Sequence, residues 1–198
     1  MRVRVRQSSG HDHVALSQSF ETHEDIFVRR QPPVVRSAIH SGRFLLALDD
    51  EETLVASVGL FPLLTIPNTV EAGMLRVVPG HGLTRDFVDL TMTWAFFRVP
   101  QATLLVAQSS HKGLPALLRR RGWTSDGLPA GLSAAKGALL EHPPDAEAYP
   151  WLGLRREHLP ARAVRTTRLA FNEESPIDAG FLDQLGLREW LHGISTIA

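Results

Sequence analysis

The amino-acid sequence predicts a mixed α/β fold, because segments with strand patterns and segments with helix patterns alternate along the chain. The clearest strand pattern is a hairpin over residues 43–48 and 53–64, which are rich in Leu, Val and Phe. The polar residues 49–52 between the two strands suit a turn. Downstream, an apolar strand pattern is followed by a helix pattern twice in succession. This repeated order indicates strands and helices in one mixed domain.

The first forty residues predict one strand and two short helices. Residues 2–7 alternate Arg with Val, which is typical of a half-buried strand with its arginines facing solvent. After a break, Asp12 is placed to cap a helix over residues 13–20. Pro32 and Pro33 predict the start of a second helix, which ends at Gly42.

Four further elements follow the hairpin. Residues 72–78 predict a strand that Pro79 ends, since proline cannot donate to a strand ladder. Residues 84–97 have the apolar spacing of a helix, and residues 102–108 are a short apolar run that suits a buried strand. A basic helix is then expected over residues 111–121 and ends at Gly122.

A change in composition divides the chain near residue 143, where prolines become frequent. We expect a main domain of residues 1–143, with residues 134–140 as its last strand, and a C-terminal extension of residues 144–198. The extension has a strand pattern over residues 163–171 and the one-sided apolar pattern of a helix over residues 179–191.

Composition narrows the function classes. The chain has 198 residues, of which 43% are hydrophobic, enough for one sizeable core. Its 21 basic residues balance 21 acidic ones, which argues against general nucleic-acid binding. There is no Cys, which excludes disulfides and thiolate metal sites. No apolar run is long enough to span a membrane, so we expect a cytoplasmic protein without a membrane partner.

The order of the segments matches one known family in both halves of residues 1–142. The matching segments in the first half are Arg4-Val-Arg-Gln7, Asp12-His-Val-Ala-Leu16, and Gly42-Arg-Phe-Leu-Leu-Ala47 through Val58-Gly59. Those in the second half are Leu75-Arg-Val-Val-Pro79, Gly80-His-Gly-Leu-Thr84, and Leu114 to Trp123. Together they resemble the GNAT superfamily of acyl-CoA N-acyltransferases. The resemblance implies a mixed, mostly antiparallel central sheet flanked by helices.

The resemblance also implies a reaction, in which an acyl group moves from acetyl-CoA or another acyl-CoA to an amine. The acceptor is a small molecule or a peptide, and its amine attacks the thioester directly. A backbone N–H near Val77 or Val78 would polarise the thioester carbonyl. Ser109 and Ser110 stand where the family often has an asparagine that contacts the pantetheine arm, and helix capping is their alternative role.

The turn between the central strand and the next helix is the expected pyrophosphate site. Free backbone N–H groups at a glycine-containing turn and a helix N-terminus bind phosphate without a charged side chain. The residues that the resemblance assigns to this cofactor-binding role are Gly80, Gly82, Leu83, Thr84 and Arg85.

Two residues are candidates for deprotonating the acceptor amine. Glu71 is the first, because a carboxylate at the entrance to the central strand could act directly or through water. Its alternative role, a solvated glutamate at a strand end, is the more common one. His81 is the second candidate, and its alternative is an ordinary loop residue. The pair His11 and His13 lacks a partner motif, so we expect no metal.

Two departures from the family pattern keep other function classes open. The loop after Pro79 is shorter than the family's usual run, and Leu118 stands where many members have a tyrosine general acid. A catalytically inactive GNAT-like binding or regulatory module is therefore the alternative to an enzyme. A third hypothesis is an interaction protein, in which the apolar face of a helix over residues 181–191 binds a groove of a partner. That face and an edge strand also favour a homodimer.

Overall fold

The computed structural model describes residues 2–21, 29–109, 113–141 and 149–194, and seven strands of these residues form one sheet. The strands are β1 (Val3–Gln7), β2 (Phe44–Leu48), β3 (Leu54–Pro62), β4 (Thr69–Val77), β5 (Leu104–Gln108), β6 (Trp151–Arg155) and β7 (Ile177–Asp178). Their order across the sheet is β6-β5-β4-β3-β2-β1-β7. Neighbouring strands are antiparallel except for the parallel pairs β4–β5 and β1–β7. The mixed, mostly antiparallel sheet that the sequence implied is confirmed.

Helices cover both faces of this sheet. On one face, α3 (Thr84–Arg98), α6 (Ala161–Leu169) and α8 (Leu187–Ile194) pack against each other and against the largest apolar cluster. Two short helices, α4 (Gly113–Arg119) and α7 (Gly180–Asp183), add Leu118 and Leu182 to the same cluster. The opposite face holds α1 (His13–Glu21), α2 (Pro32–His40) and α5 (Leu132–Gly137) over two smaller clusters.

The N-terminal predictions largely hold, with one correction. Strand β1 buries Val3 and Val5 and exposes Arg4, as the alternation predicts. Helix α2 begins at the predicted prolines, and the hairpin of β2 and β3 is present. The predicted N-cap Asp12 is wrong, because a short 3-10 turn precedes α1 and Ser9 caps that turn. The Asp12 carboxylate instead accepts the Ser9 N–H at 2.7 Å.

Three predictions in the last third of the chain are wrong. Residues 134–140 do not form a strand, since most of them belong to α5 and the turn that follows it. Residues 163–171 form most of α6, in which Ala163, Thr167 and Ala170 recur at helical spacing and are buried. The predicted helix over residues 179–191 is broken between α7 and α8, where Gly186 has φ +87°.

Residues 149–194 share the sheet and the main core with the preceding part of the chain. β6 pairs with β5 at one edge, and β7 pairs with β1 at the other. Leu182, Leu187 and Leu191 are completely buried, so part of the apolar face considered for partner binding packs inside the molecule, whereas Phe181 and Leu185 of that face are exposed. In the described ranges, no helix has both the length and the apolar character that crossing a membrane requires.

Candidate functional site

The parallel strands β4 and β5 are paired over only part of their length. Thr69–Glu71 of β4 pair with Leu104–Val106 of β5, and the pairing of these two strands stops there although β4 continues to Val77. We call the gap beyond this point the cleft, and the paired residues Glu71 and Val106 its vertex. Within the described sheet, β4 and β5 separate only beyond this vertex.

A bulge in β4 lies just beyond the vertex. The register with β3 shifts so that Met74 and Leu75 stand opposite the single residue Val58. Met74 has φ +55°, a left-handed conformation that costs a non-glycine residue free energy. An extra residue in one strand bends it and increases its twist. The bulge therefore accounts for the departure of β4 from β5.

The loop from β4 to α3 lies at the open end of the cleft and contains two left-handed glycines. Gly80 has φ +96° and Gly82 has φ +66°. A Cβ built at either position would meet no atom within 4 Å. Glycine is therefore needed for the backbone conformation, and the space beside this backbone is open to a ligand.

Helix α3 begins at this loop without a side-chain cap. The first hydrogen bond of the helix joins Phe87 N–H to Leu83 O at 2.8 Å, and the Leu83 side chain is buried and apolar. Helix geometry leaves the N–H groups of the first turn without partners inside the helix. Thr84 and Arg85 are exposed beside them, and Asp86 adds a negative charge. The loop and the first turn thus present N–H groups that suit an anion.

The two valines predicted to polarise a carbonyl differ in the direction of their N–H groups. Val78 donates its N–H to Val55 O at 2.8 Å, so this group is committed to β3. N–H groups alternate in direction along a regular strand, which turns that of Val77 toward the β5 side. Val77 therefore fits the predicted role of a donor into the cleft, and Val78 does not.

Glu71 is buried at the vertex, with only 1% of its side chain exposed. Its Oε2 lies 2.8 Å from Arg30 Nη2, and its Oε1 lies 3.3 Å from Lys136 Nζ. Both cations are also largely buried, with exposed side-chain fractions of 3% and 12%. The alternative interpretation of Glu71 as a solvated strand-end glutamate is wrong.

Comparison with known proteins connects this geometry to a fold. No protein-family model matches the chain, and no curated protein matches it by sequence. Rv2747 from Mycobacterium tuberculosis, solved in complex with CoA, is 18% identical, with a TM-score of 0.54 over 76% of this chain and 98% of that chain. Diaminobutyrate acetyltransferase EctA from Paenibacillus lautus, solved with L-2,4-diaminobutyric acid and CoA, is 11% identical, with a TM-score of 0.54 over 78% of this chain and 95% of that chain.

The chain has the GNAT fold. A third structure with this fold is N-acetylglutamate synthase from Neisseria gonorrhoeae, solved with CoA and N-acetyl-glutamate. It is 18% identical, with a TM-score of 0.55, and the match covers 78% of this chain but only 35% of that longer chain. The likeness confirms the fold that the sequence segments implied.

Within the GNAT fold, Arg30 is held over the vertex by a pairing between distant segments. Gln31 N–H donates to Leu139 O at 3.0 Å, and Glu141 N–H donates to Arg29 O at 3.1 Å. The Arg30 guanidinium lies 3.8 Å from the centre of the Phe61 ring. Its Nη1 is buried and has no hydrogen-bond partner in the described structure.

Lys136 of α5 connects the two strands that part at the vertex. Its Nζ lies 3.3 Å from Glu71 Oε1 on β4 and donates to Gln108 Oε1 on β5 at 3.0 Å. It also lies 5.2 Å from the centre of the Trp151 ring. A primary amine of the protein itself therefore stands across the closed end of the GNAT cleft.

Sequence reasoning did not find Arg30, Lys136 or Gln108, because they reach Glu71 through tertiary structure. The sequence did carry one signal, the glycine at position 73 inside a predicted strand. Glycine in a strand often marks the close approach of another group. A Cβ on Gly73 would lie 2.5 Å from Arg30 Nη2.

The predicted site residues separate into two groups along the cleft. Gly80, Gly82, Leu83, Thr84 and Arg85 lie together with His81 at the open end. Glu71 lies at the vertex, six strand residues before Val77, a separation of about 20 Å in an extended strand. His81 lies in the loop beyond Val77, so the two candidate bases belong to different ends of the cleft. Ser109 follows the end of β5, and Ser110 lies outside the described residues.

The late helix contributes structural residues. Leu118, at the position where the family often has a tyrosine, is 4% exposed and belongs to the main core. Arg121, at the end of the basic segment predicted here, pairs with the buried carboxylate of Asp89. In the described ranges, no three His, Asp or Glu side chains are grouped as a metal site would require.

Proposed function

We propose that the chain transfers an acyl group from an acyl-CoA, most simply acetyl-CoA, to the amine of a small molecule or peptide. One observation carries the proposal: a single cleft has an uncapped helix and a glycine loop at its open end and a buried carboxylate at its vertex. The first feature suits a diphosphate, and the second suits proton transfer from an amine. Three proteins of similar fold have been solved with CoA.

The open end of the cleft would hold the nucleotide part of the co-substrate. The backbone of Gly80 and Gly82 and the first-turn N–H groups of α3 would bind the diphosphate. Thr84 would add a hydroxyl donor and Arg85 a positive charge. His81 belongs to this end, so we assign it to the diphosphate contacts before any role in proton transfer.

The vertex would carry out the chemistry. Acyl-CoA supplies a thioester carbonyl, and the acceptor supplies an amine. The N–H groups of β4 that turn toward the β5 side would donate to the developing negative charge and to the pantetheine arm, and Val77 is one of these donors. Ser109, which follows β5, would add a hydroxyl on the opposite side. Glu71 would accept the proton that the amine loses.

The catalytically inactive binding module is the second candidate function. Two observations favour it: Leu118 packs in the core where a general acid is often found, and two cations cover Glu71.

A cytoplasmic location and a homodimer also stay predictions. Sedimentation equilibrium measures the molecular mass in solution and so tests the homodimer.

Thermal unfolding with acetyl-CoA, longer acyl-CoAs and free CoA tests the cofactor site. A ligand at 100 times its Kd stabilises the fold by about 2.7 kcal/mol. Gly82→Trp fills the open space of the loop and abolishes this shift. Gly122→Trp is the matched control, since Gly122 also has positive φ and open space but follows α4. Absence of a shift with every CoA compound overturns the proposal.

Release of CoA thiol in the presence of an amine panel then separates the two candidate functions. An enzyme releases thiol with at least one amine, and Glu71→Gln lowers that rate by about 100-fold or more. A protein that binds CoA but releases no thiol with any amine is the binding module.

A further inference from the structure

We propose that Lys136 is itself an acyl acceptor, so that the protein acylates its own α5 at the vertex of the cleft. The inference rests on the proposed function, because it uses the same bound acyl-CoA. It adds a modification site and names the first amine that the thioester meets.

The position of Lys136 carries the inference. Its Nζ contacts Glu71 on β4 and Gln108 on β5, the two strands whose separation forms the cleft. An external amine that approaches Glu71 Oε1 would have to displace this ammonium group. Lys136 is therefore situated where an acceptor amine would be, beside the carboxylate that would take its proton.

The surroundings hold the amine at this point. Gln108 accepts a hydrogen bond from Nζ at 3.0 Å, and the Trp151 ring lies against it. Leu132 and Ala135 of the same helix are buried in the apolar cluster beneath, which anchors α5. Only 12% of the Lys136 side chain is exposed, so reagents in bulk water have limited access to Nζ.

The reaction balances with acyl-CoA as the co-reactant. The Lys136 ammonium gives one proton to Glu71, which passes it to water, and the neutral Nζ attacks the thioester carbonyl carbon. A C–N bond forms and the C–S bond breaks. The second proton from nitrogen goes to the CoA thiolate. The products are an Nε-acyl-lysine at position 136 and the free thiol of CoA.

The sequence makes the site easy to assign, because the chain has only two lysines, Lys112 and Lys136. Cleavage at arginine separates them into a peptide of residues 99–119 and a peptide of residues 122–155. The folded protein is incubated with acetyl-CoA near neutral pH, and both peptides are followed by mass spectrometry over time. We expect one acetyl group on Lys136, added about tenfold or more faster than on Lys112.

Variants distinguish catalysis from chemical labelling. Lys136→Arg keeps the positive charge beside Glu71 and abolishes the label, whereas Lys112→Arg leaves it unchanged. Glu71→Gln slows labelling of Lys136 by about tenfold or more without changing the rate at Lys112. Gly82→Trp gives the same loss from the far end of the cleft, so the test does not depend on whether the Glu71 variant folds.

Three results overturn the inference. Equal labelling rates at the two lysines, or an undiminished rate at Lys136 in urea, show ordinary chemical acetylation. If CoA stabilises the protein but Lys136 stays unlabelled, self-acylation is excluded and the proposed function is unaffected. If no CoA compound stabilises the protein, the self-acylation inference and the proposed function are both excluded.

Discussion

Gly73 and Arg30 occupy adjoining space at the vertex, and a Cβ at position 73 would lie 2.5 Å from Arg30 Nη2. Gly73→Ala therefore displaces the guanidinium from Glu71, and we expect a loss of about 1–3 kcal/mol in the free energy of unfolding. Urea denaturation measures it. Gly193→Ala in α8, where a Cβ meets no atom within 4 Å, is the control and leaves stability unchanged or raised. Equal effects of the two substitutions would contradict the close approach.

The first turn of α3 carries opposite charges next to the open backbone N–H groups. Because Asp86 repels a diphosphate there, Asp86→Asn strengthens CoA binding by about two- to fivefold, corresponding to about 0.3–1 kcal/mol. Arg85→Gln weakens binding by a similar factor. Calorimetric titration at low and high salt measures both changes, and both shrink as salt screens them. Changes of the same sign for the two variants would place the diphosphate elsewhere.

The carboxylate of Asp12 ties β1 to the turn before α1. Burial alone raises the pKa of Asp12, but hydrogen bonds from Arg6 and Ser9 outweigh burial and hold the pKa below its usual value. Its stabilising contribution is therefore complete above the unfolded-state pKa of about 3.9 and is lost as pH falls through the folded-state pKa.

We accordingly expect Asp12→Asn to be less stable than the natural chain at pH 6, with the difference narrowing as pH falls below about 4. Urea denaturation across this range measures it. Asp50→Asn in the exposed hairpin turn controls for net charge. A difference that stays constant with pH would mean that the ionised carboxylate does not provide the stability.

Asp89 of α3 accepts hydrogen bonds from two arginines whose side chains differ strongly in exposure. Arg121 donates through Nη2 at 3.1 Å with 6% of its side chain exposed, while Arg162 lies 3.3 Å away with 57% exposed. Arg121→Gln leaves a buried carboxylate short of its partner, so we expect a loss of about 3–5 kcal/mol. Arg162→Gln costs about 0–1 kcal/mol. Denaturation of both variants measures the contrast, and similar losses would contradict it.

The elements that sequence predicted correctly carry strong local signals. The hairpin of β2 and β3 has two apolar runs around a polar turn, and α2 starts at two prolines and ends before a left-handed glycine. Helix α6 lacks such signals. Its Val164, Thr166 and Thr167 favour a strand by local propensity. The segment is nevertheless a helix, because its buried face of small residues packs on α3.

The candidate site likewise has one part that local sequence predicts and one part that it does not. The glycine loop and the start of α3 are contiguous in sequence, so a short motif was sufficient to predict them. The surroundings of Glu71 depend on the pairing of residues 29–31 with residues 139–141, which no local pattern encodes. Sequence therefore named the carboxylate, while the cations that cover it required the fold.

The parallel pairing of Val3 with Ile177 also bears on how the protein is made. A ribosome adds about 5–20 residues per second, so the first strand waits roughly 10–30 s for the short strand that covers its edge. During this interval the open edge of β1 is available to other nascent chains. Chaperones that shield exposed strands early in synthesis should therefore matter more for this protein than for one whose edge strands are covered by segments close to them in sequence.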